Sequence, residues 1–376
     1  MARLRIAVLV SLTASFALPP GTALGQNIAI GVAAPLTGSL AHVGQELVEA
    51  AQLAVDAVNA RGGIKGHPVV LRTEDDQADP KAAMVVARKF AADDAVLVVL
   101  GHYSPATSLA AIPVYTRARL ATITPSASSP DLTKRGGKYL FRMLPSSSVY
   151  ARNLAQYTAQ TLGKKSIAVV YVDNDWGVRT KDSFAKELER LGMKVTAAQA
   201  VPDGGTDFTA ALKKIKGAKP DALAILTYHT TGALVTVQAR SLEIKVPLVG
   251  TAALYDDRFI EVAGLANAEG VTVNAEFSAD DPSPVVESFV LAYQKLHPQG
   301  KPRAYHALAY DAVRVMLDAI ESAGLDRAAI RDAIGGTRSF AGVTGTFGFN
   351  DQQEREATDQ AYLTVKDAEW TFIGRH

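Results

Sequence analysis

Apolar residues fall along this chain in short continuous runs that stop at turn residues, alternating with longer stretches where they recur every three or four positions. The runs predict strands buried on both faces of a parallel sheet, and the periodic stretches predict helices that cover it. Val96-Leu97-Val98-Val99-Leu100 is one such run and stops at Gly101-His102-Tyr103-Ser104-Pro105. Leu120-Ala121-Thr122-Ile123 is the next and stops at Thr124-Pro125-Ser126-Ala127-Ser128-Ser129. One helix, Ala106 to Arg117, fits between them. Two neighbouring strands therefore open their carboxyl ends into hydroxyl-rich turns, at the edge of an open α/β sheet where ligands collect. Backbone N–H groups at a following helix start, helped by Ser and Thr hydroxyls, suit a carboxylate or another oxygen-rich group.

The pattern before this stretch is β-α-β-α. Ile28 to Val32 is a strand, and Val43, Leu47, Ala51, Ala54 and Val58 recur at helical spacing until Gly62-Gly63. Val69, Leu71 and Thr73 alternate into Glu74-Asp75-Asp76, and Asp79-Pro80 starts the next helix with the acid as cap. The three carboxylates look like a metal site, but at a strand end ahead of a helix start a solvated or capping role fits better. After Phe141-Arg142-Met143-Leu144-Pro145 the alternation begins again. Ser166 to Val172 ends at Asp173-Asn174-Asp175-Trp176-Gly177, ahead of a helix to about Leu191. Ala222 to Leu226 ends at Thr227-Tyr228-His229-Thr230-Thr231, and Val246 to Val249 ends at Gly250-Thr251-Ala252-Ala253. Each half thus has an apolar strand opening into an aromatic residue, a His and hydroxyls, as two lobes facing one ligand would. Val271 to Glu276 predicts a strand leaving the second lobe. Helical patterns follow over Val285 to Leu296, Tyr305 to Ala323 and Arg327 to Ile334, and strand character over Gly345 to Phe349 and Ala361 to Phe372. The expected fold class is α/β, with two doubly wound parallel-sheet lobes.

Bulk numbers narrow the function. With 376 residues the chain is too long for one ordinary core and suits two lobes. Hydrophobic content of 48% and charged content of 20% are those of a globular protein. Removing the first 25 residues takes Arg3 and Arg5 from the 39 basic side chains and nothing from the 38 acidic ones, leaving a formal charge of −1. Such a balance attracts neither nucleic acid nor an anionic membrane surface. No Cys is present, which excludes disulfides, thiolate chemistry and sulfur-ligated zinc. Arg3 and Arg5 precede the apolar stretch Ile6 to Leu18, which is short of the ~20 residues of a membrane span. Pro19-Pro20-Gly21 breaks it, and Ala23-Leu24-Gly25 offers small residues for a signal peptidase. Residues 1–25 therefore read as a signal peptide cleaved near Gly25, with export to the periplasm, and no later stretch is long and apolar enough to embed in a membrane. G-x-S-x-G, H-E-x-x-H, P-loop and G-x-G-x-x-G motifs are all missing, so no catalytic residue, metal ligand or cofactor is expected.

Several stretches, in this order, carry a resemblance: Pro35-Leu36-Thr37-Gly38, Asn59-Ala60-Arg61-Gly62-Gly63-Ile64, Asp75-Asp76 with Asp79-Pro80, Gly101-His102, Pro125 to Pro130, Phe141-Arg142, Trp176-Gly177, Gln238-Ala239-Arg240 and Tyr310-Asp311-Ala312-Val313. Behind a signal peptide they make the chain resemble the periplasmic solute-binding proteins of branched-chain amino acid ABC transporters, the type I fold. The resemblance implies two lobes joined by three hinge crossings, near Leu144-Pro145, Asn274 to Glu276 and Glu354 to Thr358. One lobe would comprise residues 26–145 and 276–354, the other 146–275 and 355–376. It further implies a monomer that closes on a small molecule and delivers it to a membrane permease. Ligand contacts carried over residue by residue are Tyr103, Ser104, Ser126, Ala127 and Ser128 on the first lobe, with Trp176, Tyr228 and Ala252 on the second. His102 and Thr251 stand beside them as further candidates, although His102 also reads as a structural histidine at the sheet edge.

Three departures from the family pattern matter. Pro105 replaces a common carboxylate-binding Ser and offers neither hydroxyl nor N–H. Ala252 replaces the acid that commonly pairs the ligand's α-ammonium, and a Cys pair found in some members corresponds to Ala78 and Ser104. An enclosed ammonium without a counterion costs several kcal/mol. Unless Asp173, Asp175 or Glu276 takes over, the expected ligand is a small carboxylate without an amine cation, an aromatic acid or an amide. A binder of branched-chain or other amino acids is the alternative. A ligand sensor or amide-responsive regulator on the same fold is another.

Overall fold

The computed structural model describes residues 28–127, 129 and 131–376; the expected signal peptide and Ser128 lie outside these residues. The first part of the chain runs β1 (Ile28–Ala34), α1 (Ala41–Asn59), β2 (Val69–Asp75), α2 (Pro80–Ala92), β3 (Val96–Gly101), α3 (Pro105–Arg117), β4 (Ala121–Thr124), α4 (Asp131–Gly136) and β5 (Leu140–Arg142). Its strands form one parallel sheet in the order β2-β1-β3-β4-β5. β1, β3 and β4 are buried along their whole length, as continuous apolar runs between two helical layers require. Asp79 caps α2 by accepting from the N–H groups of Lys81 and Ala82, so Pro80 costs that helix nothing.

The second part runs α5 (Ser147–Gln156), β6 (Ser166–Val172), α6 (Asp175–Arg190), β7 (Lys194–Val201), α7 (Thr209–Gly217), β8 (Ala222–Leu226), α8 (His229–Ser241), β9 (Leu248–Gly250), α9 (Asp257–Ala263), α10 (Leu265–Ala268) and β10 (Thr272–Ala275). Three helices follow, α11 (Pro284–Gln294), α12 (Ala304–Ala323) and α13 (Arg327–Gly335), then β11 (Phe340–Gly342), β12 (Gly345–Phe349), β13 (Arg355–Ala357), β14 (Ala361–Lys366) and β15 (Glu369–Arg375). The second sheet has the order β15-β14-β10-β9-β8-β6-β7. Its first five strands in sequence pair in parallel, and the two strands from the carboxyl terminus join antiparallel at the edge. α12 and α13 return to the first sheet, where Leu308, Met316, Ile320, Ile330 and Ile334 share a core with Ile30, Val98 and Ile123.

The chain therefore passes between the sheets three times: after β5, after β10, and between β13 and β14. The passages are held by buried polar groups. Asn274, at the end of β10, donates to Gln360 Oε1 at 2.7 Å and to the Tyr150 carbonyl at 2.9 Å, touching both other passages. Arg142 of β5 pairs with Glu354 at 2.8 Å. Gln360 also exchanges two backbone hydrogen bonds with His376. Asp311 of α12 is fully buried and accepts from the N–H groups of Val343 (2.9 Å) and Thr344 (2.8 Å) and from the Thr344 hydroxyl (2.6 Å). That approach requires Gly342, where a Cβ would lie 2.3 Å from the carboxylate.

Asp311→Ala is expected to lower stability by about 3 kcal/mol, because buried donors left without an acceptor cost ~1–3 kcal/mol each. Urea unfolding measures this, and a change within about 0.5 kcal/mol, the range of an ordinary surface substitution, would contradict it.

Candidate functional site

The carboxyl ends of β5, β6, β8, β9 and β10 converge on one cavity of ≈ 610 Å³ between the two sheets. On the second lobe Asn174 caps α6 by accepting from the Gly177 N–H at 2.9 Å, which sets Trp176 in the first helical turn. Gly177 is obligatory in that turn, since a Cβ there would meet the Val172 carbonyl at 2.0 Å. Trp176 stacks on Tyr228, with ring centroids 4.9 Å apart and planes 23° apart, and Asn174 also donates weakly to the Tyr228 hydroxyl at 3.4 Å. Both rings face the cavity, as do Thr251 and Ala252 beyond β9. Arg179, one turn along α6 from Trp176, lines the rim and makes no ion pair among the described residues. Arg142, Leu144, Pro145 and the serines at 146–148 supply the hinge wall, and Tyr305 and Leu308 of α12 the first-lobe wall.

Glu276 is the one acid in the lining. β9 and β10 are parallel neighbours, with Val249 beside Thr272, so Ala252 and Glu276 follow adjacent strand ends. Glu276 is 9% exposed and forms no ion pair within 4 Å among the described residues. Burial raises its carboxyl pKa, against the opposing pull of its own backbone N–H and of Arg355. Asp173 and Asp175, the other acids considered for this role, are exposed and outside the lining.

The residues expected on the first lobe are occupied within that lobe. The His102 ring is fully buried, with Nδ1 2.6 Å from Asp76 and Nε2 3.1 Å from the Tyr115 hydroxyl, the arrangement of a structural histidine at the sheet edge. The Ser104 hydroxyl accepts from the Thr107 N–H (3.2 Å) while Thr107 Oγ1 accepts from the Ser104 N–H (3.3 Å), a reciprocal cap of α3. Ser126 donates to the Tyr103 carbonyl at 2.9 Å, and Ala127 packs with Tyr115 and Leu132 in the core. Tyr103 meets the cavity wall indirectly, edge-on to Tyr305 at 5.8 Å. Burial, and then proximity to Tyr103, raise the Tyr305 phenol pKa. Thus Trp176, Tyr228, Thr251 and Ala252 stand in the wall, Tyr103, Ser104, Ser126 and Ala127 stand behind it, and Ser128 lies outside the described residues. Asp75 bonds to the N–H groups of Leu36 and Gln77 and to the Thr37 hydroxyl, Asp76 to His102, and Glu74 to Lys89. Among the described residues no cluster of three His, Asp or Glu side chains could hold a metal.

Sequence reasoning missed Tyr150, Tyr305 and the serines at 146–148 as lining residues. The serines carried a usable signal, a hydroxyl run ahead of a helix, the same feature that singled out Thr124 to Ser129. Tyr305 carried none, because α12 reaches the cavity only through the tertiary fold.

A family model described as periplasmic binding protein matches residues 27–368. A Leu/Ile/Val-binding protein of Rhizobium johnstonii is 32% identical over 317 residues, covering 84% of either chain. A Rhodospirillum rubrum protein assigned to a branched-chain amino acid ABC transporter superposes with a TM-score of 0.86 at 32% identity, over 92% of this chain and 100% of that one. A solute binding protein of an ABC transporter from Rhodopseudomonas palustris, solved with 3,4-dihydroxy benzoic acid, shares the fold, with a TM-score of 0.66, 22% identity and coverage of 93% and 97%.

The closed Asp76–His102–Tyr115 chain makes His102 structural. His102→Ala is expected to cost about 3 kcal/mol or more in urea unfolding, since it strands a buried carboxylate and a phenol. Stability within about 0.5 kcal/mol of the parent would refute that role.

Proposed function

The chain belongs to the periplasmic binding protein family, and on that premise we propose that it is the extracytoplasmic solute-binding subunit of an ABC importer, closing its lobes on a small carboxylate-bearing solute. The observation that carries this reading is the cavity itself, with a stacked aromatic pair and strand ends of both sheets in its wall. Residues 26–145 with 276–354 and residues 146–275 with 355–376 move as the two bodies. Residues 1–25 direct export and are removed near Gly25, and the mature chain works as a monomer. Solute stabilises the closed form only as far as it binds that form better, and the membrane permease reads the closed shape. Closure is what brings the turns at Tyr103, Ser104 and Ser126 against the solute. The protein is a binding protein, and none of these steps is catalytic.

The planar surface of Trp176 and Tyr228, the guanidinium groups of Arg142 and Arg179, and Ala252 in place of an acid favour a small organic carboxylate without an amine cation, aromatic or apolar in body, or the related amide. The relative that holds 3,4-dihydroxy benzoic acid supports this ligand class. A second reading, an α-amino acid, is favoured by Glu276, whose carboxylate could meet an ammonium from the neighbouring strand end. The relative named for leucine, isoleucine and valine supports it.

Calorimetry with leucine, valine and 3,4-dihydroxybenzoate from mildly acidic to neutral pH separates the two. The Glu276 pKa is raised, so an ammonium ligand loses affinity as pH falls through that value and the carboxyl neutralises. An amine-free acid instead loses affinity as pH rises through it and a second negative charge appears. Tight leucine binding that fades in acid selects the amino-acid reading, and the opposite trend with 3,4-dihydroxybenzoate selects the other. Trp176→Ala should weaken whichever solute binds by about 1–3 kcal/mol, as truncating a desolvated contact does. An unchanged dissociation constant removes Trp176 from the site.

A further inference from the structure

We propose that the solute's carboxylate is seated at the N-terminus of α5, held by the backbone N–H groups of Ser147 and Ser148 and by the hydroxyls of Tyr150 and Thr251. The inference rests on the reading that the solute carries a carboxylate, and it holds for an amine-free acid and for an amino acid alike.

The helix starts near the cavity differ in what remains unspent. At α3 the cap is reciprocal between Ser104 and Thr107, and Pro105 has no N–H to give. At α6 Asn174 takes the Gly177 N–H. At α5 the cap residue Ser146 makes no side-chain cap hydrogen bond. The N–H groups of Val149 and Tyr150 close on the Ser146 carbonyl at 2.9 and 3.2 Å, while those of Ser147 and Ser148 find no acceptor among the described residues. The residues at 146–148 line the cavity, so these two donors and the positive end of a ten-residue helix are presented at its wall.

Two side chains point independently to an oxygen-rich guest. Tyr150 is 7% exposed and Thr251 2% exposed; both line the same cavity, and both hydroxyls are buried without a hydrogen-bond partner. Buried hydroxyls are normally paired, so two orphans in one wall mark a place where a partner is missing. They come from different elements, the first turn of α5 and the end of β9, and would reach the guest from separate directions. The charged groups in the lining are Arg142, already paired with Glu354, Arg179 at the rim, and Glu276 after β10. With Arg142 balanced by Glu354, and burial favouring the neutral form of Glu276, Arg179 leaves the lining without a net negative charge to oppose an anion. Glu276 follows the strand beside the one that carries Thr251, so the ammonium of an α-amino acid, one carbon from the seated carboxylate, would meet it there.

The test compares leucine and 3,4-dihydroxybenzoate with their primary amides by calorimetry on the mature protein and on Ser147→Pro, Tyr150→Phe and Thr251→Val. Proline is tolerated at the first position of a helix, and Ser146 already has an extended backbone at φ −71 and ψ 156, so Ser147→Pro deletes one N–H while leaving α5 intact. The acid that binds should bind at least about tenfold more tightly than its amide, and each variant should lose about tenfold for the acid, the size of one charge-assisted hydrogen bond, and less for the amide, whose carbonyl oxygen accepts without a charge. A crystal structure with the acid should place its carboxylate on Ser147 and Ser148. An acid that binds the three variants as tightly as the parent, with its carboxylate at the turn of Tyr103 to Thr107, overturns the seat and leaves the carboxylate reading standing. Acids that bind no better than their amides, or not at all, overturn the carboxylate reading and the seat with it.

Discussion

Asn274 holds the molecule's geometry together. Its single side-chain amide donates to Gln360 on one passage and to the backbone at Tyr150 on another, from its own place at the third. Three stretches of connecting chain are thereby tied together at one buried point. The charges around this point are also buried. Arg355 donates to the Thr344 carbonyl and hydroxyl at 2.7 and 2.9 Å, and burial lowers its pKa to about 10 despite Asp311 and Glu276, which raise it. Arg375 pairs with Asp281 at 2.5 Å. Buried charges are tolerated only with such partners, and each partner here belongs to a different segment of the hinge region.

Around that hinge the two sheets have divided their work. On the first, the turns after β3 and β4 are self-contained: His102, Ser104, Thr124 and Ser126 spend their polar groups on neighbouring backbone and side chains. On the second, the strand ends leave aromatic faces, hydroxyls and one carboxylate turned to the cavity. A lobe with its polar groups paired is a rigid surface to close against, whereas a lobe with open groups gains most when something fills the space between.

Much of this fold was legible because its strands are buried on both faces. Val96 to Leu100 could not be solvated on either side, and it became β3 over Val96–Gly101. Asp79-Pro80 named the start of α2 to the residue, because capping and a fixed φ act locally. Elements that depend on distant contacts were harder to read. β5 has three residues and exists because β4 offers it an edge, and α5 interrupts its apolar positions with Ser147, Ser148, Arg152 and Asn153. For the cavity, strand ends drew attention to the aromatic pair and the residues after β9, and the family resemblance named them as contacts. The serine turns were ambiguous in principle, since a hydroxyl beside a helix start bonds equally well to its own backbone or to a guest. Ser104 and Ser126 took the first course. Glu276 could be named only as an acid that might come near Ala252, because the pairing of β9 with β10 decides it.

His376 is tied into the crossing region. His376 is laced by backbone hydrogen bonds to Gln360, the same residue that Asn274 grips, and its ring lies against Tyr157 and Tyr362 at 5.2 and 5.5 Å. A substitution that removes the His376 ring would therefore loosen the packing on Tyr157 and Tyr362 at the same buried junction where Gln360 meets Asn274.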